Sequence, residues 1–184
     1  GGAGMVVAEP ANMAPHQRVH FKVNVRDVFA LDGLKRGAAA VEGEDCRLLA
    51  QVQDSGRGRH TGGRNLDAVG ASPLPDDISW SMPHVLTPDE IRVMVEGFAQ
   101  GAHRLQRCGF SGVEISAGHG HIFHQFMSPW SNTREDEYGG DFDGRMRLVL
   151  ETVAAIRAAC GAGFIIGVKS PGDDMPYKDH DGSS

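Results

Sequence analysis

The sequence lacks the features that mark membrane, disulfide-rich and redox-cysteine proteins. Its apolar runs are far too short to cross a bilayer, and no charged segment followed by an apolar one opens the chain, so neither a transmembrane helix nor a signal peptide is predicted. The 184 residues include three cysteines, Cys46, Cys108 and Cys160. Because they are odd in number and far apart, they exclude a disulfide framework and a Cys-x-x-Cys motif and predict reduced core side chains.

Positive charge is also scarce. The chain has 18 Lys and Arg residues against 24 Asp and Glu residues, which gives a formal net charge of -6. The basic residues are spread between acidic ones and predict no broad basic face, which argues against nucleic acid as the main partner. A hydrophobic content of 40% is sufficient for the core of one domain. We therefore expect one cytoplasmic domain that acts on small molecules.

Four short apolar runs are predicted to form buried strands. They are GMVVAE at 4–9, RLLAQVQ at 47–53, GVEIS at 112–116 and FIIGVKS at 164–170. The runs are continuous rather than alternating, which is typical of parallel strands covered on both faces.

Amphipathic segments between these runs are predicted to form helices. The segment 87–108 begins with Thr87, Pro88 and Glu90, the pattern of an N-cap, a first-turn proline and a capping-box acid. A second helix is predicted over roughly 143–160, and a weaker one over about 28–42. Strands that alternate with helices predict an α/β fold with a parallel sheet.

Polar side chains lie at or just beyond the ends of the predicted strands. They are Glu9, Gln51, Gln53, Ser116 with the nearby His119, and Lys169. Parallel barrels place their active sites on this rim. A nucleotide-binding doubly wound sheet would instead carry G-x-G-x-x-G after its first strand, and the chain has none there. Since a (βα)8 barrel needs eight strands, four strands predict a partial TIM barrel, about half of the whole.

Four segments, GAGMVVAEP, QVQDSGR, GFSGVEISAGHGHIFHQFMSPWSNTREDEYGG and GVKSPGDD, carry a resemblance to a known family. In order and spacing they resemble the Old Yellow Enzyme family, also called NADH:flavin oxidoreductases. The resemblance spans nearly the whole chain and implies an FMN-binding (βα)8 barrel, of which residues 1–184 supply strands two to five as one partial domain. It further implies FMN as cofactor and NAD(P)H as a possible electron donor.

The same resemblance implies roles for three residues near the cofactor. Gln51 corresponds to a glutamine whose amide contacts the pyrimidine edge of the flavin. Pro10 corresponds to a position whose backbone lies beside the ring. Lys169 stands where the family has an arginine, so a cation is kept there but the planar fork is lost.

For the substrate, the resemblance points to Ser116, His119 and His121. Ene-reductases of the family carry a histidine, a histidine or asparagine, and a tyrosine at these places. Only His119 conforms, and a serine in the first place puts simple enone reduction in doubt. Amine-oxidising relatives share that departure, so an N-methyl amine is an alternative substrate, and His121 is expected to replace the tyrosine as proton carrier. His124 is expected to be a packed or solvated ring on a short following helix.

Two other interpretations stay open. His119-Gly120-His121 also resembles the start of a zinc site in barrel hydrolases, although Lys169 and the glutamines at the other strand ends do not suit a metal. Alternatively, the chain is a catalytically silent fragment that needs a partner half, because a half-barrel exposes two sheet edges that favour association, including homo-oligomers. Arg134, Asp136 and Arg145 are predicted to pair and brace the loop after His124.

Overall fold

The structure is a computed structural model that describes residues 2–13, 23–58, 67–76 and 80–172. Within these ranges the strands are β1 (Met5–Asn12), β2 (Arg47–Gln53), β3 (Val69–Gly70), β4 (His84–Val85), β5 (Gly112–Ser116) and β6 (Ile165–Lys169). The α-helices are α1 (Leu31–Glu42), α2 (Pro88–Arg107), α3 (Ile122–Met127) and α4 (Phe142–Cys160). A 3₁₀ turn, Val28–Ala30, precedes α1.

Four strands form one parallel sheet in the order β1-β2-β5-β6. The predicted parallel α/β architecture is therefore confirmed, and the bounds of β2 and β5 agree with the prediction. β3 and β4 make a separate two-stranded parallel pair that was not predicted. Each is two residues long and lies in a segment rich in turn residues, which leaves no pattern to detect.

The predicted end of the first strand is wrong. β1 continues past Glu9 to Asn12, and its register against β2 shifts between Ala8 and Ala11. Pro10 lies within the irregular stretch. Proline has no backbone N–H to donate to a neighbouring strand and is tolerated within strands at bulges. Regular pairing with β2 is therefore interrupted at Pro10 and continues from Ala11.

The helix termini agree with their sequence signals except in α1. In α2 the Thr87 hydroxyl accepts from the Glu90 N–H while the Glu90 carboxylate accepts from the Thr87 N–H, the capping box that was predicted. α1 begins at Leu31 rather than 28, because Asp27 caps a 3₁₀ turn instead and Ala30 offers no side-chain cap.

The hydrophobic core lies between one face of the sheet and helices α2, α3 and α4. Its members include Ala50 and Val52 from β2, Val113 and Ile115 from β5, Phe98 and Leu105 from α2, Phe123 and Phe126 from α3, and Leu148 and Ile156 from α4. At Gly101 of α2 an added Cβ would clash with the end of the Met13 side chain and lie 3.2 Å from the Val25 Cγ2, so glycine lets α2 pack against Met13 and Val25 without displacing them. No helix in the described part of the chain is long and apolar enough to cross a membrane.

Candidate functional site

The face of the sheet that points away from the helices carries polar side chains near the carboxyl ends of its strands. Because side chains alternate along a strand, Gln51 and Glu114 point away from the core that holds Val52 and Ile115. The register sets Gln51 beside Glu114, and Glu114 beside Gly167. An open cleft of about 490 Å³ lies here, a size usual for small-molecule sites. Its lining residues are Val7, Ala8, Glu9, Pro10, Gln51, Glu114 and Lys169.

A hydrogen bond between neighbouring strands fixes the most polar part of the cleft. The Gln51 Nε2 donates to Glu114 Oε1 over 2.6 Å. Glu114 was not among the predicted site residues. A signal was present, since an acidic residue in the middle of an otherwise apolar buried run is costly unless it has a partner.

The structure brings together the three residues that the resemblance assigns to a cofactor. Gln51, Pro10 and Lys169 all line the cleft. Lys169 is the last residue of β6, where its carbonyl oxygen accepts the Ala117 N–H over 2.8 Å. Among the described residues that line the cleft, Lys169 is the one basic residue, and Glu9 and Glu114 are the acidic ones.

The residues assigned to the substrate follow β5 on the same rim. Ser116 is the register partner of Lys169 and is 1% exposed. His119 is exposed in the turn beyond it, and His121 is 5% exposed at the N-cap of α3. The His119 and His121 rings lie 6.0 Å apart between centroids, at 69° to each other. Of the two neighbouring imidazole rings, that of His119 is therefore exposed and that of His121 is buried. Ser116 is buried at the end of β5.

The turn that carries these histidines is held at Gly120. His119 and Gly120 have positive φ values of 58° and 71°. The His124 Nδ1 accepts the Gly120 N–H over 2.9 Å, and the Gln125 Nε2 donates to the Gly120 carbonyl oxygen over 2.6 Å. His124 lies on α3, the short helix on which it was expected, but its ring contacts the turn directly.

A buried arginine braces the loop after α3. Arg134 donates two hydrogen bonds to Asp136 and one each to the carbonyl oxygens of Ala71 and Leu86. Hydrogen bonds from Arg134 hold the pKa of Asp136 below its usual value, against the opposing effect of burial. The predicted Arg134–Asp136 pair is confirmed. The prediction that Arg145 joins it is wrong, because Arg145 donates to the carbonyl oxygens of Met127 and Gly140.

The residues that the structure describes do not provide the ligands that a zinc site at His119 and His121 would need. Among them, no three His, Cys, Asp or Glu side chains gather closely enough to hold a metal ion. His119 and His121 thus lack a third ligand in that part of the chain.

Comparison with known proteins decides the family. A model of the NADH:flavin oxidoreductase / NADH oxidase family matches residues 1–181. The chain belongs to this family. It is similar to the metal reductase of Desulforamulus reducens, with 37% identity over 98% of this chain and 27% of the relative. It is also similar to the N,N-dimethylglycine/sarcosine dehydrogenase of Chromohalobacter salexigens, with 31% identity over 95% of this chain and 26% of the relative.

Solved structures of the flavin oxidoreductase family share the fold. Morphinone reductase in complex with tetrahydroNAD superposes with a TM-score of 0.81 at 27% identity, over 95% of this chain and 55% of that chain. Its fold is a TIM barrel, so the four-stranded parallel sheet corresponds to about half of a (βα)8 barrel, as predicted. The chain thus spans between about a quarter and about half of the length of these relatives.

The cleft suits the flavin that the family name implies. After bonding Glu114, the Gln51 amide keeps one N–H and its oxygen, and the pyrimidine edge of an isoalloxazine offers an N–H between two carbonyl oxygens. Lys169 would place a positive charge beside a reduced ring bound there. A Cβ added at Gly167 would lie 3.7 Å from the Glu114 Cγ, so any side chain there would project beside the polar pair. These residues fit the ring end of FMN.

Proposed function

We propose that this chain forms the ring-binding part of an FMN site in an NAD(P)H-dependent oxidoreductase. The cleft in which Gln51, Glu114 and Lys169 meet carries the proposal. Membership of the NADH:flavin oxidoreductase family supports the cofactor, and the tetrahydroNAD complex of a structural neighbour supports a pyridine nucleotide as electron donor. Barrels of this kind hold the cofactor phosphate in the loops after their last two strands, which the four-stranded sheet described here does not include.

Each residue of the cleft has a role that follows from its chemistry. When bound, FMN supplies hydride transfer between two substrates. Gln51 binds the pyrimidine edge through its amide, and Lys169 stabilises negative charge on that edge. Both groups are preorganised on strand ends, so they need little reorganisation during the reaction.

The substrate binds at the turn that follows β5. His119 is exposed and orients the substrate, and His121 supplies a proton to it from a site that is 5% exposed. Burial of His121 limits exchange of that proton with bulk water. An activated alkene is the acceptor that this hydride-plus-proton arrangement serves best.

A second candidate substrate is an N-methyl amine. Ser116 replaces the histidine that polarises a carbonyl group in ene-reductases, and a hydroxyl polarises more weakly than an imidazole. The 31% identity with the N,N-dimethylglycine/sarcosine dehydrogenase supports this alternative. In that case the amine is the hydride donor, and electrons leave to a separate acceptor.

An anaerobic reduction assay distinguishes these candidates. Full-length protein loaded with FMN is mixed with NADH, NADPH or sarcosine, and loss of the flavin absorbance is recorded. Bleaching by a pyridine nucleotide is expected, whereas bleaching by sarcosine alone would select the amine. If none of the three bleaches a bound flavin, the proposed function is wrong. If FMN does not bind, the alternative of a catalytically silent barrel gains support.

The role of His119 is tested with the electron donor that bleaches the flavin. His119→Ala is expected to lower turnover, and His103→Ala, an exposed histidine on α2, is the matched control. Unchanged turnover in His119→Ala would remove His119 from the site.

A further inference from the structure

We propose that Glu114 is a positioning residue that sets the orientation of the Gln51 amide and tunes the charge next to the flavin ring. The inference rests on the proposed FMN site and deepens it. It starts from the 2.6 Å hydrogen bond from Gln51 Nε2 to Glu114 Oε1 on adjacent strands of the cleft.

The carboxylate decides which end of the amide faces the ring. A carboxylate accepts hydrogen bonds and donates none, so Glu114 attracts the NH₂ end of Gln51 and repels its oxygen. The Gln51 oxygen is therefore left to accept the pyrimidine N–H, and its second N–H is left to donate to a flavin carbonyl. With the amide reversed, its NH₂ would face the pyrimidine N–H, which would then have no acceptor, and its oxygen would face both the flavin carbonyl and the Glu114 carboxylate.

The same carboxylate adds negative charge to the cleft. Among the lining residues, Glu9 and Glu114 are acidic and Lys169 is basic. Reduction of a flavin places negative charge on the pyrimidine edge, which Lys169 favours and Glu114 opposes. Glu114 thus strengthens FMN binding through Gln51 but makes reduction of the bound ring less favourable. The first effect is measured as FMN affinity and the second as the reduction potential of the bound flavin.

Three variants of the full-length protein test this assignment. Glu114→Gln keeps the size of the side chain but donates as well as accepts, so the Gln51 amide is free to reverse. Glu114→Asp keeps the charge but is too short for the 2.6 Å contact. Glu96→Gln, on the exposed face of α2, is the matched control. The readouts are the FMN dissociation constant from fluorescence quenching, the reduction potential of the bound flavin, and the unfolding midpoint.

Glu114→Gln is expected to bind FMN about tenfold more weakly, as for the loss of one net hydrogen bond. Its reduction potential is expected to move to a more positive value. Glu114→Asp is expected to weaken binding while keeping the wild-type potential. Glu96→Gln is expected to change neither quantity. If the variants only disturbed packing, both would bind FMN more weakly, but their reduction potentials would not differ from each other in this way.

A double-mutant cycle tests whether Glu114 acts through Gln51. In a Gln51→Leu background, Glu114→Gln is expected to have little further effect on FMN affinity, because the amide that it orients is gone. An equal effect in both backgrounds would overturn the proposal, as would a wild-type affinity and potential in Glu114→Gln. If Glu114→Gln does not fold, the cycle uses Glu114→Asp instead, and its effect on FMN affinity is again expected to be small in the Gln51→Leu background. Failure of wild-type protein to bind FMN would instead contradict the proposed function.

Discussion

His124 holds the backbone of Gly120 by accepting its amide N–H at Nδ1 over 2.9 Å. An imidazole nitrogen that accepts carries no proton, so His124 has its ring proton on Nε2 in this arrangement. Gln125 holds the carbonyl oxygen of the same residue and also donates to Ser55 over 3.4 Å. Both polar groups of Gly120 are therefore fixed by α3, in a turn where two successive residues have positive φ.

Replacing the His124 acceptor is expected to impair turnover without impairing flavin binding. His124→Leu removes the acceptor, so the turn with His119 and His121 loosens, and kcat is expected to fall roughly tenfold because small misplacements of reacting groups are costly. FMN affinity is expected to stay within about twofold of wild type, since Gln51 and Lys169 lie on other elements. Steady-state kinetics and an FMN titration measure the two effects.

His124→Asn is the matched variant, because the asparagine Oδ1 occupies nearly the position of Nδ1 and accepts the same N–H. It is expected to retain most of the activity. His103→Asn on α2 controls for a general effect of losing a histidine. Equal losses in His124→Leu and His124→Asn would mean that the Gly120 hydrogen bond does not position the site.

Arg134 is expected to contribute strongly to stability, because its side chain is buried. Its side chain is 7% exposed and makes four hydrogen bonds, two to Asp136 and two to the backbone that follows β3 and β4. Arg134→Lys keeps the charge but loses the planar fork, so the free energy of unfolding is expected to fall by about 2 kcal/mol. Urea unfolding measures the change. Arg107→Lys, at an exposed position at the end of α2, is expected to change the free energy of unfolding by less than about 0.5 kcal/mol. Equal changes in the two variants would show that the Arg134 hydrogen bonds do not stabilise the loop.

Acid is expected to destabilise the start of α2 through Glu90. Hydrogen bonds from the Thr87 N–H, from His84 and from the Thr87 hydroxyl lower the pKa of Glu90 from 4.5 to about 2. A carboxyl group with a lowered pKa in the folded state stabilises the protein above its unfolded pKa, and this contribution is lost as pH falls through the folded pKa. Wild-type protein should therefore lose the stabilisation from Glu90 as the pH falls from about 4.5 towards 2.

The comparison of wild type with Glu90→Gln isolates this effect. Glutamine maintains the capping box but does not titrate, so the Tm of Glu90→Gln should depend less steeply on pH over that range. Thermal unfolding followed by circular dichroism at several pH values provides the measurement. Parallel pH profiles for the two proteins would show that the Glu90 contacts do not contribute.

The sequence was most informative where one strong local pattern decides the structure. The continuous apolar runs of β2 and β5 and the Thr87–Glu90 capping box needed no tertiary information, and the structure agrees with them. β1 was predicted too short because Pro10 normally ends a strand, whereas here it lies in an irregular stretch and pairing resumes at Ala11.

Contacts between distant residues could not be predicted. Gln51 and Glu114 are separated by 63 residues and meet only through the register of β2 and β5. The bond from Gly120 to His124 spans only four residues, but it depends on the positive φ of His119, which no sequence pattern indicates. The roles predicted for the site residues remain predictions: Pro10, Gln51 and Lys169 at the cofactor, and Ser116, His119 and His121 at the substrate.

A fluorescence titration of FMN with full-length wild-type protein, Gln51→Leu and Gln100→Leu tests the central claim most directly. Gln51 lines the cleft, while Gln100 is exposed on α2 and bonds to Glu96, so the two variants make the same chemical change at different places. Wild type and Gln100→Leu should quench FMN fluorescence with equal affinity, and Gln51→Leu should bind at least about tenfold more weakly. Equal binding by all three proteins, or no binding by wild type, would contradict a flavin site on this face of the sheet.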